Sequence, residues 1–592
     1  MRYLYGFIFL ILLSVPAIAL PNDVDYDIDA IFNPVDNVLS ATASITVTNN
    51  SDSVFDQLYF HLYPNAFSRD SLSQYKQDLL EHMSPGALVN LYADPNDDAF
   101  IEILSIQSGG QSLEFFENDT LLTVDLLDFL RPGERVEIQI AYIYNLMEGT
   151  ASDLMAFNHA VRSAHREGVY TMTLWYPKLA VFDFNGWFLE PYRYFGEFYG
   201  DFASYDVQIT LPRAYEVGAT GQLALEAIEG DSKTLLFNAE NVHDFAWVAS
   251  DRYQTALAEV DGIAINSLYV DDERSGQIEL AAEALQYFNE KYGPYPYETF
   301  TIAQVKVGGG MEYPALIAIG RGTDSEIVHE VAHQWWYGAI GNNEMSETWL
   351  DEGFTTFAEE LFFIEHRGQS EYFVRSSRSF SETGEIVLQP APNFSSLSNF
   401  GSAVYTKGSG ILWMLRSYLG AEIFDDMLKA YFHEFSLRNV TTNDFVEFAS
   451  TYAHEDLTWF FDQWLRTTAS LDFSIADVST RVNEDGVSEH VVRVENSGDA
   501  RMPVTIQVFP SDSMLDPFNV VWDGQSPSVE IVIDQIEGIS GLEIDPDREV
   551  LEENRTNNAW FSQLAGLLTG LASVGVLGIL VVGLRGRLSR TD

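Results

Sequence analysis

Ser325-Glu-Ile-Val-His-Glu-Val-Ala-His-Gln-Trp-Trp336, followed by Glu347-Thr-Trp-Leu-Asp-Glu-Gly-Phe-Thr-Thr-Phe357, is the stretch from which the rest of this chain is read. On an α-helix, residues four apart share a face, so His329 and His333 point the same way. Two imidazoles on one face can hold one Zn²⁺, and a catalytic zinc takes three protein ligands and keeps one position open. Glu352 follows His333 after eighteen intervening residues. It lies in an apolar, Gly-punctuated run that reads as a second helix packed on the first, which makes it the candidate third ligand. Glu330, next to His329, leans toward the open position and is the candidate general base. A lone His-Glu-x-x-His also arises as two ordinary helix histidines. Trp349-Leu-Asp-Glu-Gly-Phe354 weighs against that reading.

The spacing of His329, Glu330, His333 and Glu352 within His-Glu-Val-Ala-His-Gln-Trp and Trp-Leu-Asp-Glu-Gly-Phe resembles the gluzincin aminopeptidases. These are the aminopeptidase N-like enzymes, whose relatives include leukotriene hydrolase. The resemblance implies a thermolysin-like catalytic domain with one Zn²⁺ per chain on His329, His333 and Glu352, and Glu330 as base. Before the helix comes Gly308-Gly-Gly-Met-Glu-Tyr-Pro314. By itself this is a Gly-rich turn whose backbone can approach a ligand, with an edge open to peptide β-addition. In the similar family a Gly-Ala-Met-Glu-Asn segment stands here, and its Glu binds the substrate's free amino terminus. That role falls on Glu312, with Gly309, Gly310 and Met311 lining the substrate. Gly310 and Tyr313 depart from the family's Ala and Asn, which bears on subsite shape. Tyr405 in Tyr405-Thr-Lys-Gly408 matches a tyrosine that stabilises the oxyanion there, and a phenol donor suits that task. The second acidic group that often grips the amino terminus has no match around Trp175-Tyr-Pro-Lys178.

Other candidates carry less. Glu359 lies on the face of Glu352, seven residues on, and reads equally as a partner that orients a ligand His or as a solvated carboxylate. His243 and Asp244 read as a strand-end hydrogen bond. His366, His433 and His454 have no partner at ligand spacing. Phe460, Phe461, Trp464 and Leu465 form a core stripe.

The chain of 592 residues is long enough for three or four domains. A net charge of −56 argues against nucleic-acid binding, which needs basic surface. Lysine occurs only at positions 76, 178, 233, 291, 306, 407 and 429. An acidic, lysine-poor, aromatic-rich chain points to a surface adapted to high salt, where self-repulsion is screened. The absence of cysteine excludes disulfides and thiolate metal sites.

Residues 1–19 read as a secretory signal, with an apolar run and small residues at Ala17-Ile-Ala19. Residues 20–253 alternate in the strand period, as in Val136-Glu-Ile-Gln-Ile-Ala-Tyr142 and Tyr205-Asp-Val-Gln-Ile-Thr-Leu211, and predict an N-terminal antiparallel β domain. Glu197–Asp206 and Val242–Trp247 also resemble the family's β domain. Residues 254–470 alternate helical and strand patterns, with helices expected over Leu280–Phe288 and near Ile411–Tyr418 and a strand at Thr299–Val305. Residues 471–554 return to the strand pattern and predict a C-terminal β-sandwich. Leu564–Leu584 carries no charge and is long enough to span a bilayer. Arg585, Arg587 and Arg590 in the 585–592 tail place that end in the cytoplasm.

The fold class expected is α+β and multidomain, ending in one transmembrane helix. The function expected is a zinc metallo-aminopeptidase on the periplasmic or extracellular side of a cell membrane, acting on peptides with a free amino terminus. Two alternatives stand beside it: an endopeptidase or epoxide-type hydrolase on the same metal, and a non-catalytic, membrane-tethered peptide-binding protein. The intact ligand set, base and Tyr405 argue against the last.

Overall fold

A computed structural model describes residues 23–69, 73–82, 98–148, 163–196, 198–306, 309–377, 384–484, 488–534 and 536–562. The expected signal at 1–19, the span at 564–584 and the 585–592 tail lie outside the described residues, as does Glu197. Among the described residues no helix is long and apolar enough to cross a membrane. The chain clusters into two compact units. Of the described residues, the first holds those through Tyr194, within Tyr199–Ala282 and within Pro296–Ile327; the second holds those within Phe195–Phe198, Glu283–Tyr295 and from Val328 on.

The first unit is mostly sheet. Its largest sheet has eight strands in the order Gln222–Glu229, Ser232–Val242, Ala203–Pro212, Asp23–Asn33, Val38–Thr48, Arg135–Asn145, Phe100–Ser108, Gln111–Ser112. Strict alternation along Asp23–Asn33 buries Val24, Tyr26, Ile28, Ala30 and Phe32 and turns Asp23, Asp25, Asp27 and Asp29 outward. The expectation of a purely antiparallel domain needs correction. Asp23–Asn33 runs parallel to Ala203–Pro212, with Asp27 opposite Asp206. A parallel neighbour requires a long excursion of chain rather than a hairpin, and here it joins strands far apart in sequence.

Asp244, read from sequence as a strand-end hydrogen bond, forms one buried network with Tyr176 and Lys178 of the Trp175-Tyr-Pro-Lys178 segment. Lys178 Nζ lies 3.1 Å from Asp244 Oδ2, and the Tyr176 hydroxyl donates to Asp244 Oδ1 at 2.8 Å. Burying a charge without a partner costs several kcal/mol, so the ion pair explains these residues structurally.

A five-stranded sheet follows in the same unit, in the order Gln254–Val260, Ile263–Tyr269, Thr299–Gln304, Leu316–Ile319, Gly310–Met311. Its central three strands are parallel. That matches the continuous burial of Phe300–Gln304, since a parallel strand is covered on both faces. Helix α1 spans Gln277–Lys291, longer at both ends than its apolar stripe alone indicated.

The second unit holds helices α2 (Asp324–Trp336, from Val328 on), α3 (Trp349–Glu365) and α4 (Gly408–Leu419). It ends in strands forming a three-stranded and a four-stranded antiparallel sheet, the last strand being Ala559–Phe561. Phe473 of one sheet meets Trp522 of the other at 5.6 Å between ring centroids, as in a sandwich core.

Candidate metal centre

Helix α2 forms where sequence places it because its apolar residues recur at helical spacing and its N-terminus is capped, Thr323 Oγ1 accepting from Glu326 N–H at 3.2 Å, while the Glu326 side chain ties down the preceding turn. The Glu326 carboxylate accepts the backbone N–H groups of Gly320, Arg321 and Gly322 at 3.1, 3.2 and 2.7 Å. Carboxylates at a helix start also complement its dipole. Further on, Val328, Val331, Ala332 and Trp335 are fully buried. The Trp335 indole N–H donates to Gly293 O at 2.9 Å, and Trp336 packs against Tyr292 and Phe354. This fixes the rotation of α2 and leaves His329, Glu330 and His333 on the remaining face. Helix α3 is entered through a short turn capped by Asn343, whose side chain accepts from the N–H groups of Met345 and Ser346. The Trp349 indole then anchors α3 to Thr442 Oγ1 at 2.9 Å.

Two helices held this way bring three donors together. His329 Nε2 lies 3.1 Å and His333 Nε2 3.4 Å from the same oxygen, Glu352 Oε2. The donor atoms of the three residues all fall within 4.8 Å of one another. Bonds of about 2.0–2.1 Å to a tetrahedral zinc require neighbouring donors about 3.3–3.4 Å apart. The two imidazole–carboxylate edges therefore fit a zinc ion, and the nitrogen and oxygen donor set suits it chemically.

The outer nitrogens are held as well. His333 Nδ1 lies 2.5 Å from Asp351 Oδ1 and 3.0 Å from Thr355 Oγ1, all buried. His329 Nδ1 lies 3.1 Å from Glu359 Oε2. A carboxylate facing Nδ1 selects the tautomer with the proton there and turns the Nε2 lone pair inward. Burial alone disfavours imidazolium. At His329 the hydrogen bonds that the ring donates to Glu352 and Glu359 outweigh it and raise the ring to about 10. At His333 burial is likewise overcome, by Asp351 and Glu352. Burial also works against the Glu352 carboxylate, yet His333 and His329 hold its pKa far below the usual range. The three groups together thus favour a positive charge between them, such as a metal cation supplies.

A Glu330 carboxylate oxygen lies within 4.8 Å of a His333 ring nitrogen, and Glu330 is buried. Tyr405 sits on a π-helical turn, Ser402–Lys407, that leads directly into α4. Its hydroxyl donates to Glu352 Oε1, the carboxylate oxygen other than the one facing the histidines. Its ring lies nearly parallel to that of His329, with centroids 6.1 Å apart. The sequence pattern indicated a helix only from about Ile411, and the π turn and first turn of α4 precede it.

The second unit therefore brings together His329, Glu330, His333, Glu352, Glu359 and Tyr405. Gly309, Gly310, Met311 and Glu312 belong to the first unit. There Gly310–Met311 form the edge strand, paired antiparallel with Ile319 and Ala318, and Glu312 is buried just after it. His243 and Asp244 lie in the first unit too, with Asp244 in its buried ion pair. Sequence reading missed Asp351 and Thr355. The available signal was an acid immediately before Glu352, set between Leu350 and Glu352 in the Trp349–Phe354 segment.

Residues 277–464 match the Peptidase family M1 domain. Human aminopeptidase B is 27% identical over 228 residues, 33% of this chain and 35% of that protein. Leukotriene A-4 hydrolase of Xenopus laevis is 30% identical over 192 residues, 28% of this chain and 31% of that protein. The aligned stretch thus spans 35% or less of the length of these two curated relatives. Among solved structures, the M1 zinc metallopeptidase of Deinococcus radiodurans superposes with a TM-score of 0.57 at 19% identity, covering 76% of this chain and 96% of that one. Aminopeptidase A of Legionella pneumophila, in complex with aspartic acid, gives 0.66 at 15% identity, covering 89% of this chain and 59% of that one. These likenesses are of fold, and they extend over the β strands as well as the helices. Together with the paired motifs on α2 and α3, the M1 domain match and the two curated relatives support a gluzincin aminopeptidase family for the region of residues 277–464.

Proposed function

We propose that this chain is a zinc-dependent metallopeptidase that removes single amino acids from the amino terminus of peptides. The observation that carries the reading is the donor triangle of His329, His333 and Glu352, with edges of 3.1 and 3.4 Å around one carboxylate oxygen. Zinc bound by these residues supplies Lewis acidity toward a peptide carbonyl and acidifies water to a pKa of about 7. Glu330, one residue beyond His329 and buried, takes the proton of the attacking water and delivers it to the leaving amine. Tyr405 turns its phenol from Glu352 toward the carbonyl oxygen as negative charge develops there. Asp351, Thr355 and Glu359 keep the two imidazoles in register.

Glu312 receives the substrate's ammonium group, which limits cleavage to one residue, and Gly309, Gly310 and Met311 lie alongside the peptide. Support for these roles is the match of Gly309-Gly-Met-Glu312 to the family's substrate-binding segment. The reading extends to location: an exported enzyme, tethered to the cell membrane by Leu564–Leu584. Its support is the uncharged 564–584 run and the apolar 1–19 leader.

The test compares hydrolysis of a leucyl anilide with its N-acetylated form, each with and without a zinc chelator. Cleavage of the free amine alone, abolished by chelator, is the expected outcome. Equal cleavage of both substrates identifies an endopeptidase-type site. Failure to cleave either, with zinc bound, overturns the reading.

A further inference from the structure

The turn that carries Tyr405 is held by two glycine contacts that backbone conformation does not require. Gly408 has φ −56° and ψ −53°, ordinary helical values. At such a position glycine costs a helix about 1 kcal/mol relative to alanine. Space supplies the reason for it. A Cβ on Gly408 meets Gly353 Cα at 3.1 Å. A Cβ on Gly353 meets Gly408 C, Gly408 Cα and Val404 O, each at 3.2 Å. Gly353 directly follows Glu352, so backbone touches backbone one residue from a proposed ligand and three residues from Tyr405.

Helix α4 has little freedom to back away. Two residues on, across the helix, a Cβ on Gly410 would lie 2.8 Å from Leu551 Cδ1, and Leu551 N–H donates to Met414 Sδ at 3.3 Å. The first turn of α4 is thus gripped between α3 and the segment bearing Leu551. Displacement at Gly408 passes into the preceding turn, a π turn, a wider winding that is rare and often found at functional sites.

We propose that Gly408, seated on Gly353 in a helix turn that Leu551 backs at Gly410, is a positioning residue that sets the distance of the Tyr405 hydroxyl from the metal centre. The proposal rests on the role given to Tyr405 above. It predicts that adding one methyl group at Gly408 shifts the phenol by a few tenths of an ångström while the three donors on α2 and α3 stay in place. Misplacing a reacting group by 1 Å costs about a hundredfold in rate, so a shift of this size costs about tenfold.

The test is a double-mutant cycle on the full chain. Gly408→Ala is expected to lower kcat about tenfold, leaving KM within about twofold and zinc affinity by chelator competition within about twofold. Tyr405→Phe in the parent is expected to lower kcat about 10²–10³-fold, the range for one oxyanion donor. In the Gly408→Ala background the same change is expected to cost about tenfold less. Gly401→Ala is the control, because a Cβ there meets nothing within 4 Å and the backbone is equally helical; it leaves kcat unchanged. Should Gly408→Ala not fold, Leu551→Ala loosens α4 from the other side. It is read by the same coupling to Tyr405→Phe, with Leu551→Met restoring kcat.

Independent, additive losses from the two changes overturn the positioning role, as does a Gly408→Ala enzyme with parental kcat. Loss of zinc affinity in Gly408→Ala also overturns it, in favour of general disruption. A Tyr405→Phe enzyme with parental kcat removes the role of Tyr405, and this proposal with it. An inactive parent with zinc bound instead refutes the peptidase reading.

Discussion

Replacing Asp351 by Asn tests how the metal centre is built. Asp351 is fully buried, and its Oδ1 lies 2.5 Å from His333 Nδ1. Asparagine keeps the size of the side chain and an oxygen that can accept the Nδ1 proton, so the variant removes charge and little else. A hydrogen bond to a charged partner is about twice as strong as a neutral one. Losing the partner of a ligating histidine typically weakens metal binding about 10–100-fold. Asp351→Asn is therefore expected to weaken zinc binding about tenfold, about 1.4 kcal/mol, and Asp351→Ala toward a hundredfold.

Glu359 provides an internal comparison. It faces His329 at a longer 3.1 Å, and its side chain is 16% exposed, so water screens it. Glu359→Gln should cost about threefold or less. The assay is chelator competition with the purified protein at constant pH and ionic strength, followed by metal analysis. At saturating zinc the Asp351→Asn enzyme should regain most of its kcat, because occupancy is what changes. Parental zinc affinity in Asp351→Asn, or a larger loss in Glu359→Gln, would refute the argument that the buried, shorter contact dominates.

Other consequences follow from the same structure. Glu330→Gln should retain zinc and lose kcat by at least about 10²–10⁴-fold, measured on the leucyl anilide; substantial remaining turnover removes Glu330 as the base. Glu552, whose carboxylate accepts from Phe473 N–H and Asn558 Nδ2, is raised by burial to about 7, against the opposing pull of Asn558 and Arg555. A folded-state pKa above the unfolded one favours the folded state below about pH 4.5, and this contribution fades as pH rises through 7, by roughly 3 kcal/mol in all. Denaturant titrations of Glu552→Gln and parent should therefore converge at low pH, with the variant losing less stability between pH 4.5 and 7.

The outer face of the eight-stranded sheet sets Asp27 directly opposite Asp206, and burial together with Asp206, Asp29 and Glu137 raises the Asp27 carboxyl. With the net charge of −56, lowering the salt from molar to millimolar should lower Tm, and a Tm independent of salt would count against a salt-adapted surface.

Much of the centre was legible because it is local. A spacing of four on a helix fixes the relation of His329 to His333 whatever surrounds them, and Glu330 follows from its neighbour. Alternation along Val136–Tyr142 and Tyr205–Leu211 likewise marks strands before any partner is known. The partners themselves are not local. Asp23–Asn33 alternates in the same way whether its neighbour is parallel or antiparallel, so the pairing with Ala203–Pro212 came only from the folded sheet. Glu359 was ambiguous for a similar reason: its place on the face of Glu352 was visible, while the group it faces depends on how α3 is rotated against α2.

The sequence alone determined the residue types and spacings that suit a zinc site, because helical geometry converts spacing directly into direction. Only the tertiary structure decided which carboxylates face the outer nitrogens of His329 and His333. Only it showed that Tyr405 rides a π turn leading into a helix whose first turn is held between Gly353 and Leu551. These features arise from contact between separate segments, and their distances depend on how side chains fill the space between helices rather than on any periodicity within one.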